Sequence, residues 1–252
     1  MSYQTGVVEA LRDHRLDART VPGWERRGSS SFNPRGHVVH HDAIPTRWQT
    51  PPSILIDGRS DLPGPLCNFA LNAYGIVYVV AAGRANHAGT GGWRGLSGNS
   101  SVWGTEAQNA GIGQVWPDEQ IDAYVRLCAA TADFSGFTAE MVCRHAEWTS
   151  RKIDPAGPWE DGHDWSRDAS HFRALVANGG SQTTGGFGTM TDAEIDAKFL
   201  KLAVDLQEVT RKLDAISEET KGLHKRTSLT RRIVRIVADK VGVTQSEIDS
   251  QA

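Results

Sequence analysis

The sequence predicts an α/β domain over residues 1–178, followed by a helical tail. Three observations predict it. Short apolar runs of strand length alternate with segments of helical period through the first 178 residues. A stretch rich in glycine, serine and threonine, residues 179–190, then breaks the pattern and has the composition of a flexible linker. Beyond it the apolar residues recur with the period of one long helix. At 252 residues and 39% hydrophobic content, the chain can bury one substantial core and still carry an appendage.

The elements follow in order. Residues 6–13 read as a short amphipathic helix. Residues 21–36, with two prolines, three glycines and a serine triplet, read as loop. Gly36 to His40 reads as a buried strand, and residues 42–65, punctuated by Pro and Gly, as a long loop of the kind that is often functional. Leu66–Leu71 and Ile76–Ala82 form a hairpin pattern around Asn72-Ala73-Tyr74-Gly75, because Asn and Gly tolerate positive φ in the turn. Residues 83–105 are a Gly-, Asn- and Ser-rich loop suited to walling a groove, and Glu106 follows in or beside a strand. Residues 117–133 are the clearest helix. Pro117 starts it, Asp118 and Glu119 complement the helix dipole, and Ile121, Tyr124, Val125, Cys128, Ala129 and Ala132 make one apolar stripe. Glu140–His145 reads as a strand and Asp164–Val176 as the last helix of the domain.

In the tail, residues 191–252, Ile195, Phe199, Leu202, Leu206, Val209, Leu213 and Ile216 keep a heptad spacing over 195–216. That pattern fits an amphipathic helix docked on the first domain, or self-association through a coiled coil. The segment 221–240 holds seven Lys or Arg against the single acid Asp239. It reads as a solvated helix face or as a contact for an anionic surface.

Composition narrows the function. A net charge of -3 argues against a nucleic-acid partner. Three cysteines at unrelated spacings imply no disulfide framework. The N-terminal residues lack the basic and apolar regions of a secretory signal, and no apolar run reaches membrane-spanning length, so the expected compartment is a reducing cytoplasm. Eight tryptophans suit sugar or peptide surfaces as well as a core.

The chemistry concentrates in Arg144-His145-Ala146-Glu147-Trp148-Thr149-Ser150-Arg151-Lys152-Ile153-Asp154-Pro155, which places an imidazole, an ammonium and a carboxylate within ten positions. Alone, such a segment is ordinarily a solvated loop. Its company changes the reading. Upstream, Val38-Val39-His40-His41-Asp42 is an apolar run ending in histidine. Neighbouring strand residues face opposite ways, so only one of the two histidines can look into a site. His40 is assigned that role, and His41 a supporting or substrate-cleft one. Two imidazoles, His40 and His145, with the Asp154 carboxylate are a donor set for zinc (Zn2+) that leaves a position open for water. Glu106 is available as the acid/base and Lys152 as the cation for an oxyanion, a set that suits amide hydrolysis. Cys143, two residues before His145, is a further ligand candidate.

Five motifs occur in order: Val38-Val39-His40-His41-Asp42-Ala43, Leu62-Pro63-Gly64-Pro65-Leu66-Cys67-Asn68-Phe69, Ala81-Ala82-Gly83-Arg84-Ala85-Asn86-His87-Ala88-Gly89, Gly104-Thr105-Glu106-Ala107-Gln108-Asn109 and Arg151-Lys152-Ile153-Asp154-Pro155. Over residues of about 20 to 177 the chain resembles the zinc-dependent N-acetylmuramoyl-L-alanine amidases of the peptidoglycan-recognition-protein superfamily, most of all endolysins of actinobacterial phages. The resemblance implies a mixed central sheet flanked by helices with zinc in a groove. It implies His40, His145 and Asp154 as ligands, Glu106 and Lys152 as catalytic groups, and His87 as a substrate contact. It also implies bacterial peptidoglycan as the substrate, and an enzyme that stays in the host cytoplasm until a holin-type partner opens the membrane. A non-catalytic recognition module, or a bacterial or prophage autolysin of the same chemistry, is the competing expectation. The resemblance says nothing of residues 191–252.

Overall fold

The computed structural model describes residues 2–179, and its frame is a six-stranded sheet. In chain order the strands are β1 (Ala18–Thr20), β2 (His37–His41), β3 (Phe69–Leu71), β4 (Val77–Val79), β5 (Trp103–Ala107) and β6 (Val142–Arg144). Across the sheet they run β1-β4-β3-β5-β2-β6. Only the β3–β4 pair is antiparallel. It is the hairpin the sequence predicts. Gly75 sits at φ 74°, and Asn72 Oδ1 accepts the backbone N–H groups of Tyr74 and Ile76 across the turn. The central strands β3, β5 and β2 are Val-, Phe-, Ala- and Trp-rich and almost wholly buried, as a parallel sheet covered on both faces requires.

The helices are α1 (Val7–Asp13), α2 (Ser53–Asp57), α3 (Asp118–Ser135), α4 (His145–Trp148) and α5 (Ala169–Ala177). Helix α3 starts where Pro117 predicts and stops at Gly136, whose φ of 70° only glycine adopts cheaply. The predicted stripe is buried, but so are Gln120, Ala123, Leu127, Ala130 and Thr131. The stripe is wider than its period suggests because α3 packs against the sheet, α1 and α5 together. Seven of the eight tryptophans are buried and Trp93 is half-buried, so their role here is core packing. Trp116, Tyr124, Trp159, Trp165 and Phe172 form one aromatic cluster between α3 and α5, most of its pairs edge-to-face.

Three expectations are corrected. The predicted strand over Glu140–His145 is shorter: Ala139–Met141 is a 3-10 turn, β6 ends at Arg144, and His145 opens helix α4. The predicted final helix starts at Ala169, because residues before it form turns around Asp164. The long loop 42–65 contains α2 and a two-residue ribbon, Gly58–Arg59 with Leu62–Pro63. The heptad segment 195–216, the basic segment 221–240 and the linker from residue 180 onward lie outside the described residues.

Candidate metal centre and groove

The site is built on one face of the β2–β5 pair. His40 and Glu106 are partners in the parallel register, so their side chains project side by side. His37, Val39 and Thr105 point the other way, toward α3. His37 shows the contrast: its Nδ1 lies 2.9 Å from Thr131 Oγ1 and its Nε2 2.8 Å from Thr105 Oγ1. Tyr124 of α3 fixes the strand at the site. Its hydroxyl accepts the His40 N–H at 2.8 Å and lies 3.0 Å from the carbonyls of His40 and Thr105.

The other half of the site comes from the segment after β6. His145 is the first residue of α4. Glu147 caps this turn by accepting the Arg144 N–H, and Arg173 of α5 holds the Glu147 carboxylate at 2.9 Å. The loop then returns, and the Ala146 N–H bonds the Asp154 carbonyl at 2.9 Å. The Arg144 guanidinium donates to the carbonyls of Ile153 and Pro155. These bonds bring the Asp154 carboxylate back beside His145.

The three predicted ligands meet. His40 Nδ1 is 2.9 Å from His145 Nδ1, and each of these nitrogens is 3.0 Å from Asp154 Oδ2. Among the described residues, this is the group of metal-ligating side chains whose ligand atoms cluster. All three residues are buried. The donor chemistry fits a cation. His145 Nε2 faces the Ala88 carbonyl at 3.1 Å, so that nitrogen carries the proton and Nδ1 presents a lone pair. His40 Nε2 faces His87 Nδ1 at 3.1 Å. With Nε2 the donor there also, the atoms that converge are all acceptors, and a positive ion is what such a triangle lacks. Tetrahedral zinc with bonds near 2.0 Å sets its ligands about 3.3 Å apart, close to the spacing of these atoms.

Electrostatics agree. Burial pushes the His40 pKa down to about 4, so its ring is neutral and able to ligate at neutral pH. Burial opposes charge on Asp154, yet the hydrogen bonds with His145 and His40 hold its carboxyl below the usual range. Glu106 Oε1 lies 3.9 Å from His40 Nδ1. Burial raises the Glu106 pKa well above normal, with the charges of Asp154 and Asp42 adding to it and Lys152 opposing. A carboxyl so placed keeps its proton to higher pH than a solvated one.

Beside the triad lies an open cavity of about 300 Å³, lined by His145, His87, Asn86, Leu62, Thr149, Arg151 and Lys152 among others. Lys152 is exposed and reaches the cavity from a turn closed by its own N–H on the Thr149 carbonyl. His41 is half-buried, accepts the Ala156 N–H at 3.2 Å and packs on Gly111, where a Cβ would overlap its ring. Cys143 is not part of the triangle. It lies in an apolar cluster with Val38, Leu96 and Trp148, because its register partner on β2 is Val38, two residues short of His40.

Tyr124, Arg144 and Asn99 support the site but escape the sequence reading. Tyr124 carried a signal, since a tyrosine inside an apolar stripe must find a partner for its hydroxyl. Arg144 and Asn99 carried none beyond their nearness to motifs.

Among solved structures, the chain is similar to the endolysin N-acetylmuramoyl-L-alanine amidase LysCS from Clostridium intestinale URNW, with 18% identity over 63% of this chain and 94% of that one, at a TM-score of 0.46. It is similar to the PlyG catalytic domain, with 16% identity over 68% and 99% of the two chains and a TM-score of 0.48. It is similar also to AmpD, with 21% identity over 64% and 94% and a TM-score of 0.47. No curated protein matches the sequence. Residues 30–157, half of the chain, match the family described as N-acetylmuramoyl-L-alanine amidase, and those residues hold β2, β5, β6 and all three members of the triangle. The chain belongs to the N-acetylmuramoyl-L-alanine amidase family and is a peptidoglycan amidase.

Proposed function

We propose that the enzyme is a zinc hydrolase that cuts the amide between the lactyl group of N-acetylmuramic acid and L-alanine of the stem peptide. The observation that carries this reading is the triangle of three acceptor atoms with Glu106 on the same strand face. His40, His145 and Asp154 would hold the metal. Zinc, when bound, supplies a Lewis acid that makes water nucleophilic near neutral pH. Glu106 takes the proton from the attacking water and delivers it to the leaving amine. The new C–O bond forms at the lactyl carbonyl and the C–N bond breaks, giving a lactyl carboxylate and a free L-alanine amine. Lys152, at the cavity wall, neutralises the oxyanion that develops between these events.

The test joins metal analysis of the purified chain to mass spectrometry of digested peptidoglycan. One zinc per chain and fragments with free lactyl carboxyl ends support the proposal. A digest cut at glycosidic or peptide bonds instead, or full activity after chelation, overturns it.

The five ordered motifs favour an endolysin role, in which the enzyme waits in the host cytoplasm and a holin-type partner gives it access to the wall. Among the described residues no helix is long and apolar enough to cross a membrane. Expression inside actinobacterial cells should lyse them only when the membrane is also permeabilised. Lysis by the enzyme alone counts against that partner. The heptad segment is proposed to self-associate. Sedimentation of the full chain as a monomer would reject this.

A further inference from the structure

The segment Asn86-His87-Ala88-Gly89 lines the cavity, and its hydrogen bonds reach the triangle as well. His87 Nε2 points at the Val102 carbonyl at 3.4 Å. A carbonyl only accepts, so this nitrogen is the protonated one and His87 Nδ1 is left with a lone pair. That lone pair is 3.1 Å from His40 Nε2. His40 must then donate from Nε2, which bares its Nδ1 toward Asp154 and His145. The next residue acts on the second imidazole: the Ala88 carbonyl accepts from His145 Nε2 at 3.1 Å. A third group holds both residues in place. Asn99 Oδ1 accepts the N–H of His87 at 3.1 Å and of Ala88 at 2.8 Å. The His87 ring lies against Gly104 of β5, where a Cβ would collide with it.

We propose that His87 is a positioning residue of the metal centre, which fixes His40 in the tautomer that ligates, and that Asn99 clamps the segment from which both imidazoles are oriented. This inference rests on reading the triangle as a zinc site. It changes the meaning of His87. With both ring nitrogens engaged, His87 meets the contents of the groove only through its carbons. One two-residue segment then aligns two ligands that stand 105 positions apart in the chain. Partners of this kind typically govern metal affinity by about 10- to 100-fold.

The experiment measures zinc affinity of the full chain by competition with a chromophoric chelator, for the wild type, His87→Ala, His87→Asn and Asn99→Ala. His87→Ala removes the acceptor and should weaken zinc binding by about 10- to 100-fold. His87→Asn can place an amide oxygen near the lost Nδ1 and should recover most of that loss. Asn99→Ala should weaken zinc binding while His87 is still present. Equal affinity in wild type and His87→Ala overturns the proposal, and so does an equal loss in His87→Ala and His87→Asn, which would mark a merely structural role. A wild type that binds no zinc overturns the reading of the triangle itself and this inference with it. Should His87→Ala fail to fold, nitrogen NMR on the zinc-loaded wild type decides. A nitrogen–nitrogen coupling across the His40–His87 hydrogen bond supports the proposal, and a His87 ring protonated at Nδ1 overturns it.

Discussion

The two halves of the candidate metal centre are held by different means. His40 and Glu106 belong to neighbouring strands, and the ladder itself sets them side by side. His145 and Asp154 belong to a short helix and an irregular return loop, where no ladder fixes the spacing. There the work falls to discrete groups: Arg144 on two carbonyls, the Ala146 N–H on Asp154, and Arg173 behind Glu147. The strand half resembles a fixture cast with the fold. The loop half is assembled from single hydrogen bonds, each of which one substitution can remove. The strand half should therefore show its importance in stability, and the loop half in metal binding.

The largest effects come from breaking each half at its reactive group. Glu106→Gln keeps the shape of the strand half and removes the proton carrier. Hydrolysis should fall by about 10²- to 10⁴-fold with zinc content unchanged. Asp154→Ala removes a ligand from the loop half, so zinc stoichiometry itself should fall, and activity with it. Metal analysis beside a turbidity or muropeptide assay separates the two. Full activity in Glu106→Gln would remove Glu106 from the mechanism, and undiminished zinc in Asp154→Ala would reject that carboxylate as a ligand.

A subtler pair tests the contrast directly. Tyr124→Phe deletes the hydroxyl that serves His40 and Thr105, stranding buried backbone groups at a cost of roughly 1–3 kcal/mol. Denaturant titration should show that loss while the remaining strand ladder keeps zinc affinity near the wild type. Arg144→Ala frees the carbonyls of the exposed Ile153 and the buried Pro155, and the half-buried space left by the guanidinium admits water to them, so its cost in stability should be smaller. Its zinc affinity should drop by about tenfold, at the lower end for outer partners of a metal ligand. The reverse ranking, with Tyr124→Phe the worse for zinc and Arg144→Ala the worse for stability, would refute the division.

Acid acts on the strand half from its far side. His37 is fully buried, and burial first, then the nearby His40, lower its pKa to about 3. Thr131 donates to the Cys128 carbonyl and so accepts from His37, which is neutral in the fold. The unfolded chain binds a proton at this residue below about pH 6.5, and the folded chain does not. The contribution is therefore complete above that pH and is lost progressively as pH falls toward 3. Between pH 8 and 5 the loss from His37 alone is about 2 kcal/mol. His37→Gln does not titrate, so denaturation at the two pH values should show a fall smaller by that amount. An unchanged acid response would mean that His37 takes its proton in the fold.

Much of this was legible in the residues, and what was not has physical reasons. Strand alternation separated His40 from His41, and the register bears out their divergence: one ring enters the triangle and the other packs on Gly111. The segment Arg144–Pro155, with its imidazole and carboxylate, supplied His145 and Asp154. The strand reading of Glu140–His145 fails at its last residue, because the backbone turns into helix α4 there and His145 is placed by that helix. The supporting bonds were hidden for another reason. Val102, Ala88 and Asn99 act through carbonyl or amide oxygens, and every residue has a carbonyl. Only the fold selects which of them faces a histidine. Helix α3 was found by its period, yet its hydroxyl clamp on β2 needs contacts 84 residues away.

Cys143 gives the smallest effect, and it tests which side chains on the site face reach the metal position. Its thiol is buried among apolar groups, and burial raises its pKa, so it is held as a neutral thiol. A zinc ligand there would have to be a thiolate. Cys143→Ala should cost about 1 kcal/mol of stability through lost packing and leave zinc stoichiometry and affinity unchanged. A fall in zinc content would place the sulfur in the coordination sphere. An unchanged content would show that sharing the site face is not enough: the ladder sets Cys143 beside Val38, two residues short of His40, and the second half of the triangle is supplied by the individual bonds of the segment that follows β6.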